Sequence, residues 1–458
     1  MKKSVLIILT LALIVASVAQ AKITLPPYKD IKLDNGLTVR VVERHNLPLF
    51  SMSLTLRAGS TQDPVGQEGL ATLSNELLMR GTATRTAQQI AEEIAFGGGT
   101  FSNSCGRLSA GFRGEFLTAQ GETGFVILGD ILTHSLLSQD EFDKMKERQL
   151  ASIQNSMDDP SSLATQKFYD AVWAGSRFAH DNEGDSKTVG ALTRDRAVAF
   201  IKDHYTPDNA LLVVCGDITA QQVEAWAKKY LGSWRGKADI AVVDQPFQAT
   251  AGKRVIIYDK PDASQTQIRI GATAFPIGSP DYWAYEVARS VYGGSFTSRL
   301  MNEIRVNRGL SYGVRCSSDS YRPGGMVYVG TFTKNSTVGE VVDIILDEAR
   351  KMQTEPVPDS EYTGATKYRC GLYPLRYETS DDIVGTLTSI WLHGLDKSYY
   401  EDYQEKLRAT TPAEGQTMAQ KYFPQNNYIL VLVGKADEIK EQAEKYGPVT
   451  VVPLADLQ

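Results

Sequence analysis

The sequence has few histidines and cysteines, the side chains that zinc prefers in proteins. It contains five histidines and four cysteines in 458 residues. No two histidines are spaced as His-x-x-Glu-His or as the inverse motif, and the cysteines form no Cys-x-x-Cys pair, which excludes a zinc knuckle and a dithiol redox motif. These residues are His45, His134, His180, His204, His393, Cys105, Cys215, Cys316 and Cys370. Buried, unpaired thiols are the expected state of the cysteines, although an oxidising compartment permits disulfides.

An excess of positive charge is also absent. The chain has 48 Lys and Arg residues against 54 Asp and Glu residues, a formal net charge of −6. Nucleic-acid binding needs a basic surface, so this balance argues against it. It also argues against an anionic membrane surface as a partner.

Residues 1–21 are typical of a secretory signal. Lys2 and Lys3 precede an apolar run at residues 4–18, which is too short to span a membrane comfortably. The small-x-small cleavage pattern is "AQA" at residues 19–21. An uncleaved anchor is the alternative interpretation. We expect a cleaved signal and a periplasmic location, and no membrane contact beyond secretion. No cysteine follows the run, so lipid attachment is not indicated.

The chain repeats itself. Residues 207–216 and 424–434 share a proline, an asparagine, an apolar strand and a glycine, and each segment is followed by an amphipathic helix ending in Lys-Tyr. Two similar modules in tandem are the simplest account. The boundary lies in the polar, mixed segment 236–254. We therefore predict a first domain at residues 22–240, a linker at 241–255 and a second domain at 256–458.

Each module reads as strands mixed with helices. The segments "LTVRVVER" and "SMSLTLRAG" alternate in hydrophobicity, which predicts half-buried strands. The segment after Ser138 begins with acidic residues and predicts a helix with Ser138 as its N-cap. Hairpin-like strands and segregated helices favour the α+β class, with an antiparallel-rich sheet in each module.

The stretch "GLATLSNELLMRGT", residues 69–82, carries an apolar helical face beside a polar one. Leu70 and Leu73 belong to the first face, and Thr72, Asn75 and Glu76 lie together on the second. Here the sequence resembles the M16 (pitrilysin/insulinase) metallopeptidase family, whose fold is the two-module LuxS/M16 metallohydrolase-like type. Active members carry His-x-x-Glu-His at this place, with a third zinc ligand, a glutamate, on a later helix.

The resemblance places non-ligands at the metal positions. It puts Thr72 and Glu76 where the family has its two histidines, Asn75 where it has the general base, and Ser152 where it has the distal glutamate. Zinc binds histidine, cysteine and, less often, carboxylate, and an amide cannot act as a base. We therefore expect no metal in this chain and a peptidase homologue that is inactive on its own.

A second stretch, "GGSFTSRLMNEIRVNRGLSYGV" at residues 293–314, resembles the family's other signature. Arg305 and Tyr312 keep the family spacing of an Arg/Tyr pair that closes over the zinc site of the opposite half. Where the halves are separate chains, one carries zinc and the other carries the pair. The resemblance thus implies a zinc-bearing M16 sister subunit, a heterodimer, short unfolded peptides as substrates, and Arg305 and Tyr312 acting in trans.

Alternatives remain open for both parts of this signature. Arg305 could simply pair with Glu303 or Asp347, and Tyr312 could be a core tyrosine. The glycine-rich segment is no nucleotide motif, since neither Gly-x-Gly-x-x-Gly nor Gly-Lys-Ser/Thr follows a strand here. Glycines permit close approach of a backbone, which makes this segment a candidate for peptide binding. Its residues are Gly293, Gly294, Ser295 and Phe296.

The resemblance also indicates a peptide-pairing strand, and three hypotheses for the function remain. The strand near Thr100 matches the family's peptide-pairing edge strand. The leading functional hypothesis is a zinc-free partner subunit of a periplasmic M16-type peptidase. A non-enzymatic scaffold or peptide-binding protein of the same fold is the alternative, and an inert homodimer is a third possibility.

Overall fold

The structure is a computed structural model that describes residues 23–453, with residues 239 and 242 left out. The predicted signal at residues 1–21 lies outside the described residues, so it stays a prediction. Within the described residues, no helix has both the length and the apolar character needed to cross a bilayer.

The first half of the chain builds a six-stranded sheet with the strand order β1-β2-β6-β3-β5-β4. Only β2 and β6 pair in parallel, and the other four pairs are antiparallel. The strands are β1 (Lys29–Lys32), β2 (Thr38–Glu43), β3 (Leu49–Leu56), β4 (Thr100–Cys105), β5 (Ala110–Leu117) and β6 (Ala210–Gly216).

The second half builds another six-stranded sheet, ordered β12-β7-β11-β8-β10-β9. Strands β7, β11, β8, β10 and β9 repeat the order and the pairing directions of β2, β6, β3, β5 and β4. The outer strand differs, because β12 pairs with β7 in parallel whereas β1 pairs with β2 antiparallel. The strands are β7 (Lys253–Asp259), β8 (Gln265–Ala274), β9 (Val314–Ser320), β10 (Gly325–Lys334), β11 (Tyr428–Gly434) and β12 (Val449–Pro453).

Helices follow the same division. Those of the first half are α1 (Leu70–Leu78), α2 (Ala87–Phe96), α3 (Glu122–His134), α4 (Gln139–Asp158), α5 (Pro160–Val172), α6 (Ser186–Ala191), α7 (Arg194–His204) and α8 (Ala220–Leu231). Those of the second half are α9 (Asp281–Arg289), α10 (Val338–Thr354), α11 (Asp359–Leu372), α12 (Ser380–His393), α13 (Ser398–Glu401), α14 (Tyr403–Ala409), α15 (Pro412–Tyr422) and α16 (Ala436–Glu444). There are also two π-helical segments, π1 (Ser290–Gly294), which includes the two glycines of the glycine-rich segment, and π2 (Met301–Asn307), which follows it.

The predicted α+β class with two homologous, antiparallel-rich modules is confirmed. The two repeated segments become β6 with α8 and β11 with α16, at equivalent places in the two sheets. The Ser138 hydroxyl accepts a hydrogen bond from the backbone N–H of Glu141, so it caps α4 as expected. The linker bounds 241–255 stay a prediction, and β7 begins within them.

The two modules exchange one helix each. Helix α5 of the first module packs on β8 and β11 of the second sheet, and α12 of the second module packs on β3 and β6 of the first sheet. Phe168 of α5 is fully buried with Val431 of β11. Leu387 of α12 is fully buried with Val213 of β6. Each sheet therefore has its own helices on one face and a helix from the other module on the opposite face.

This exchange corrects one prediction. Strand β2 is half-buried, as its alternation indicated. Strand β3 is not, because seven of its eight residues are buried, including Ser51 and Ser53. Helix α12 covers the face that a single module would expose to water, and that contact joins residues more than 300 positions apart.

Candidate functional site

Helix α1 begins at a tight junction between distant segments. Gly69 has a φ of 95°, and a Cβ there would lie 2.3 Å from the carbonyl oxygen of Glu183, so only glycine fits. The buried Asp63 carboxylate accepts hydrogen bonds from the backbone N–H groups of Gly69 (2.9 Å) and Ala71 (2.7 Å). Burial raises the pKa of Asp63 to about 7 despite these two bonds.

A loop crosses the polar face of this helix. The Thr72 hydroxyl donates to the carbonyl oxygen of Asn182 at 2.6 Å. The Ser152 hydroxyl, on α4, donates to a carboxylate oxygen of Glu183 at 3.2 Å. Burial raises the pKa of Glu183, an effect that Ser152 partly opposes. The structure thus brings Thr72 and Ser152 to one place, as the resemblance implied, and the loop satisfies both hydroxyls.

The other two metal positions are also engaged. Asn75 is 1% exposed, and its side-chain oxygen accepts a hydrogen bond of 3.0 Å from the hydroxyl of Tyr205. Glu76 forms an ion pair of 2.9 Å with Arg80, one helical turn away. Asn103 of β4 donates to the backbone oxygen of Asn75 at 3.1 Å. Both positions therefore stabilise the helix and its contact with the edge strand.

These residues do not fit zinc. Two neutral hydroxyls, one amide and one ion-paired carboxylate replace a set of two histidines and two glutamates. The neighbouring Cys105 offers no thiolate, because burial raises its pKa to about 12. No group of three or more His, Cys, Asp or Glu side chains able to hold a metal occurs among the described residues. The amide of Asn75 cannot act as a general base. Helix α1 therefore supports neither zinc binding nor general-base catalysis.

Two cavities meet beside α5. One, of about 500 Å³, is lined by Thr72, Cys105 and Glu183. The other, of about 640 Å³, is lined by the glycine-rich segment at residues 293–296. Ser161 and Thr165 of α5 line both cavities. The exchanged helix therefore forms the floor between the degenerate metal position and the glycine-rich segment.

Arg305 lies between two aromatic rings. Its guanidinium carbon is 4.5 Å from the ring centre of Tyr312 and 4.9 Å from that of Phe296. Both rings are exposed, Tyr312 at 77% and Phe296 at 63%. Each such cation–π contact contributes about 0.5–1 kcal/mol at an exposed position. The three side chains thus hold one another in place on the surface of the second module.

The alternative interpretation, in which Arg305 is ion-paired and Tyr312 is a core tyrosine, is wrong. Arg305 makes no ion pair with any residue that the structure describes, since Glu303 accepts a hydrogen bond from Asn307 and Asp347 pairs with Arg350 and Lys351. Tyr312 precedes β9 by two residues and lies outside the core. The Arg305 donors and the Tyr312 hydroxyl are thus available to a ligand.

The glycines before Phe296 also serve packing. A Cβ at Gly293 would lie 2.9 Å from the Cβ of Cys316, and one at Gly294 would lie 2.9 Å from the carbonyl oxygen of Arg289. The hydroxyl of Ser295 donates to the carbonyl oxygen of Ser290 at 3.1 Å. These residues line the larger cavity. Peptide binding by them stays a prediction.

Sequence reasoning missed the two π-helical segments, of which π1 contains Gly293 and Gly294. Segments of this kind are rare and often occur at functional sites. The second segment, π2, carries Arg305. The sequence contains no signal for them beyond the glycine pair itself. Sequence reasoning also missed the stacking of Phe296 on Arg305.

The expected edge strand is at the edge. Strand β4 pairs only with β5, so its other side is free for strand addition within the described chain. Among the hydrogen bonds and ion pairs of the described residues, none joins Arg305 or Tyr312 to α1 or β4. Peptide binding by β4 stays a prediction.

The four cysteines, all of them in the described chain, are free thiols. Cys215, Cys316 and Cys370 are buried and Cys105 is half-buried. Burial raises the pKa of Cys316 to about 11. The expectation of buried, unpaired thiols is thus confirmed for three of the four and nearly met by Cys105.

Comparisons with known proteins agree with this geometry. Residues 40–184 match the family described as Insulinase (Peptidase family M16). Residues 191–367 match the one described as Peptidase M16 inactive domain. The two matches together cover more than half of the chain.

The relatives include proteins named as zinc proteases. An uncharacterised zinc protease of Rickettsia felis is 27% identical over 343 residues, which cover 74% of this chain and 82% of the relative. One of Bacillus subtilis is 21% identical over 351 residues, which cover 77% and 83% of the two chains.

Solved structures share the fold. The M16 inactive-domain structure from Pseudomonas fluorescens has a TM-score of 0.82 and 23% identity, and the match covers 89% of this chain and 98% of that one. A protease from Helicobacter pylori has a TM-score of 0.83 and 17% identity, with coverages of 90% and 100%. From the matches along its sequence and the two-module fold, the chain belongs to the M16, or insulinase, family of peptidases.

Proposed function

We propose that this chain is the zinc-free subunit of a periplasmic, two-chain M16-type peptidase. In this proposal a zinc-bearing sister chain of the same fold supplies the metal, and this chain supplies Arg305 and Tyr312 in trans. The zinc protease names of the relatives and the signal-like residues 1–21 support it. The substrates are short unfolded peptides.

The observation that carries the proposal is the contrast between the two halves of the chain. Thr72, Asn75, Glu76 and Ser152 are all engaged by protein partners. Arg305, which is half-buried, and the exposed Tyr312 are stacked and free of such partners among the described residues. A site kept for stability alone has no need of an unpaired arginine held between two exposed rings.

The chemistry assigned to the pair is electrostatic. Hydrolysis of a peptide bond builds negative charge on the oxygen of the scissile carbonyl. The Tyr312 hydroxyl would donate a hydrogen bond to that oxygen, and Arg305 would hold an adjacent backbone carbonyl. Loss of one such donor lowers the rate by about 10²–10³-fold, which makes the sister chain dependent on this one.

The test compares peptide cleavage by this chain, by a zinc-bearing sister chain and by the mixture. We expect only the mixture to be fast. Tyr312→Phe keeps the ring on Arg305 and removes only the hydroxyl, so it should lower the kcat of the mixture by about 10²-fold or more. Arg308→Lys is the matched control, because Arg308 follows π2 and pairs with Glu340 at 3.1 Å.

A mixture no faster than the sister chain contradicts the proposal, as does full activity with Tyr312→Phe. In that case the non-enzymatic alternative, a scaffold or peptide-binding protein of the M16 fold, would remain. An inert homodimer, the third possibility, would show itself in the sizing and metal analysis of the purified chain.

A further inference from the structure

The second module contains a buried cluster of charges away from Arg305. Glu286 and Arg289 of α9 are 1% and 7% exposed. Arg289 donates to the two carboxylate oxygens of Glu286 at 2.9 and 2.8 Å and to the carbonyl oxygen of Cys316 at 2.7 Å. Arg369 of α11 forms an ion pair with the same carboxylate. One negative charge thus faces two positive ones.

The cavity beside this cluster adds a third positive charge. It measures about 250 Å³, and Arg376 lines it together with Arg289 and Arg369. Glu286 is the one acidic residue among the described residues of its wall. Arg376 is exposed and makes no hydrogen bond or ion pair in the described chain. The Nε atom of Arg369 is buried and has no acceptor there.

The wall of this cavity has an excess of positive charge. Arg289 and Arg369 share the one carboxylate of Glu286, and Arg376 adds a further positive charge at the exposed side of the cavity. Strand β9 contributes the hydroxyls of Ser318 and Ser320 to the same wall. Guanidinium groups and hydroxyls together are the donors that bind carboxylate and phosphate oxygens.

The cluster lies on two helices that have counterparts in the first module. Helix α9 follows β8 and packs against α11, as α1 follows β3 and packs against α4. Glu286, Arg289 and Arg369 therefore lie on the two helices that correspond to those of Thr72 and Ser152 in the first module. The helices of the first module carry two hydroxyls there, whereas those of the second carry a carboxylate and two guanidinium groups.

We propose that this cavity is a binding site for a small oxyanion, held by Arg369 and Arg376 with Arg289 behind them. A carboxylate of a short peptide and inorganic phosphate share the required chemistry. The site needs neither the sister chain nor the Arg305–Tyr312 pair, so it stands independently of the proposed function.

The experiment is calorimetric titration of the full chain at low ionic strength, where screening is weak. Three probes are used: sodium phosphate, an uncharged-side-chain hexapeptide with a free terminal carboxylate, and the same peptide as its amide. Arg376→Gln, which changes an exposed residue, should weaken binding about tenfold, as expected for loss of a charge-assisted hydrogen bond. Arg369→Gln should weaken it at least as much. Arg408→Gln is the control, since Arg408 is exposed, belongs to the same module and does not line the cavity.

Saturable binding of phosphate or of the free-acid peptide, weakened in the first two variants and unchanged in the control, supports the site, and the probe that binds identifies the source of the anion. The proposal is overturned if neither probe binds, or if the amide binds as well as the acid and phosphate does not bind. Equal affinity of Arg376→Gln and the parent chain, or an equal loss in Arg408→Gln, would also overturn it. Should Arg369→Gln fail to fold, Arg376→Gln decides alone.

Discussion

Gly294 has no room for a side chain. A Cβ at this position would lie 2.9 Å from the carbonyl oxygen and 3.0 Å from Nη1 of Arg289. We expect Gly294→Ala to lower the free energy of unfolding by about 1–3 kcal/mol, because overpacking displaces the buried arginine. Gly313→Ala is the control, since nothing lies within 4 Å of a Cβ there. Urea denaturation of both variants measures the effect, and equal stabilities would contradict it.

Asp63 gives the stability a pH dependence. Burial raises its pKa to about 7, whereas an unfolded aspartate titrates near about 3.9. Between these values the folded chain keeps a proton that the unfolded chain has released, so the free energy of unfolding falls as the pH rises. This contribution is fully present below about pH 4 and lost by about pH 7.

Asp63→Asn removes this titration. We expect the stability of the parent chain, measured relative to this variant, to decrease between about pH 4 and about pH 8. Urea denaturation at several pH values gives the difference directly, and other titrating groups cancel in it. A difference that stays constant across this range would show that Asp63 titrates normally.

Single residues were predictable where a motif fixed their place. The resemblance placed Thr72 and Ser152 together, and in the structure their hydroxyls bond to adjacent residues of one loop, Asn182 and Glu183. Their partners in the loop at residues 181–184 were not predictable, because nothing in that loop's sequence indicates that it folds over α1. The same holds for Phe296, whose ring could be assigned to Arg305 only once π2 fixed the direction of the arginine.

Among the helices and strands, the exchanged helix α12 allows a direct test of how the two modules pack together. Leu387 is fully buried against the first sheet although it belongs to the second module. Leu387→Ala should lower the free energy of unfolding by about 2–5 kcal/mol, from lost burial and the cavity left behind. Leu375→Ala, at a 53% exposed position of the same module, should change it little. Denaturation followed by circular dichroism provides the comparison, and similar losses in both variants would contradict this packing.

The local signals that predict helices and strands have a clear limit in this chain. The Ser138 cap bonds to a residue only three positions away, so the local sequence was sufficient to predict it. The burial of both faces of β3, by contrast, depends on α12, which lies more than 300 residues further along the chain. Features that arise from contacts distant in sequence cannot be read from periodicity.

For the whole molecule, the exchange of α5 and α12 predicts that the two modules do not fold separately. Residues 22–240 expressed alone would expose the apolar face of β3 and β6 that α12 covers. We expect this fragment to aggregate, and co-expression with residues 241–458, which keep the whole of β7, to recover a soluble complex. Size-exclusion chromatography of both preparations checks this, and a monodisperse, folded fragment would contradict it.

The two-module plan itself was predictable because duplication leaves a repeat in the sequence. The segments after His204 and Lys421 were sufficient to align β6 with β11 before any coordinates. The different pairing of β1 and β12 was not foreseen, since both are short outer strands with no counterpart in the repeat.

The crossed helices have a mechanical consequence. Helix α5 joins the first module to the second sheet, and α12 joins the second module to the first sheet. The two modules cannot separate without exposing both of these apolar contacts, so we expect them to move as one body. In the proposed two-chain peptidase, entry of a peptide would then be set by how this chain meets its partner subunit.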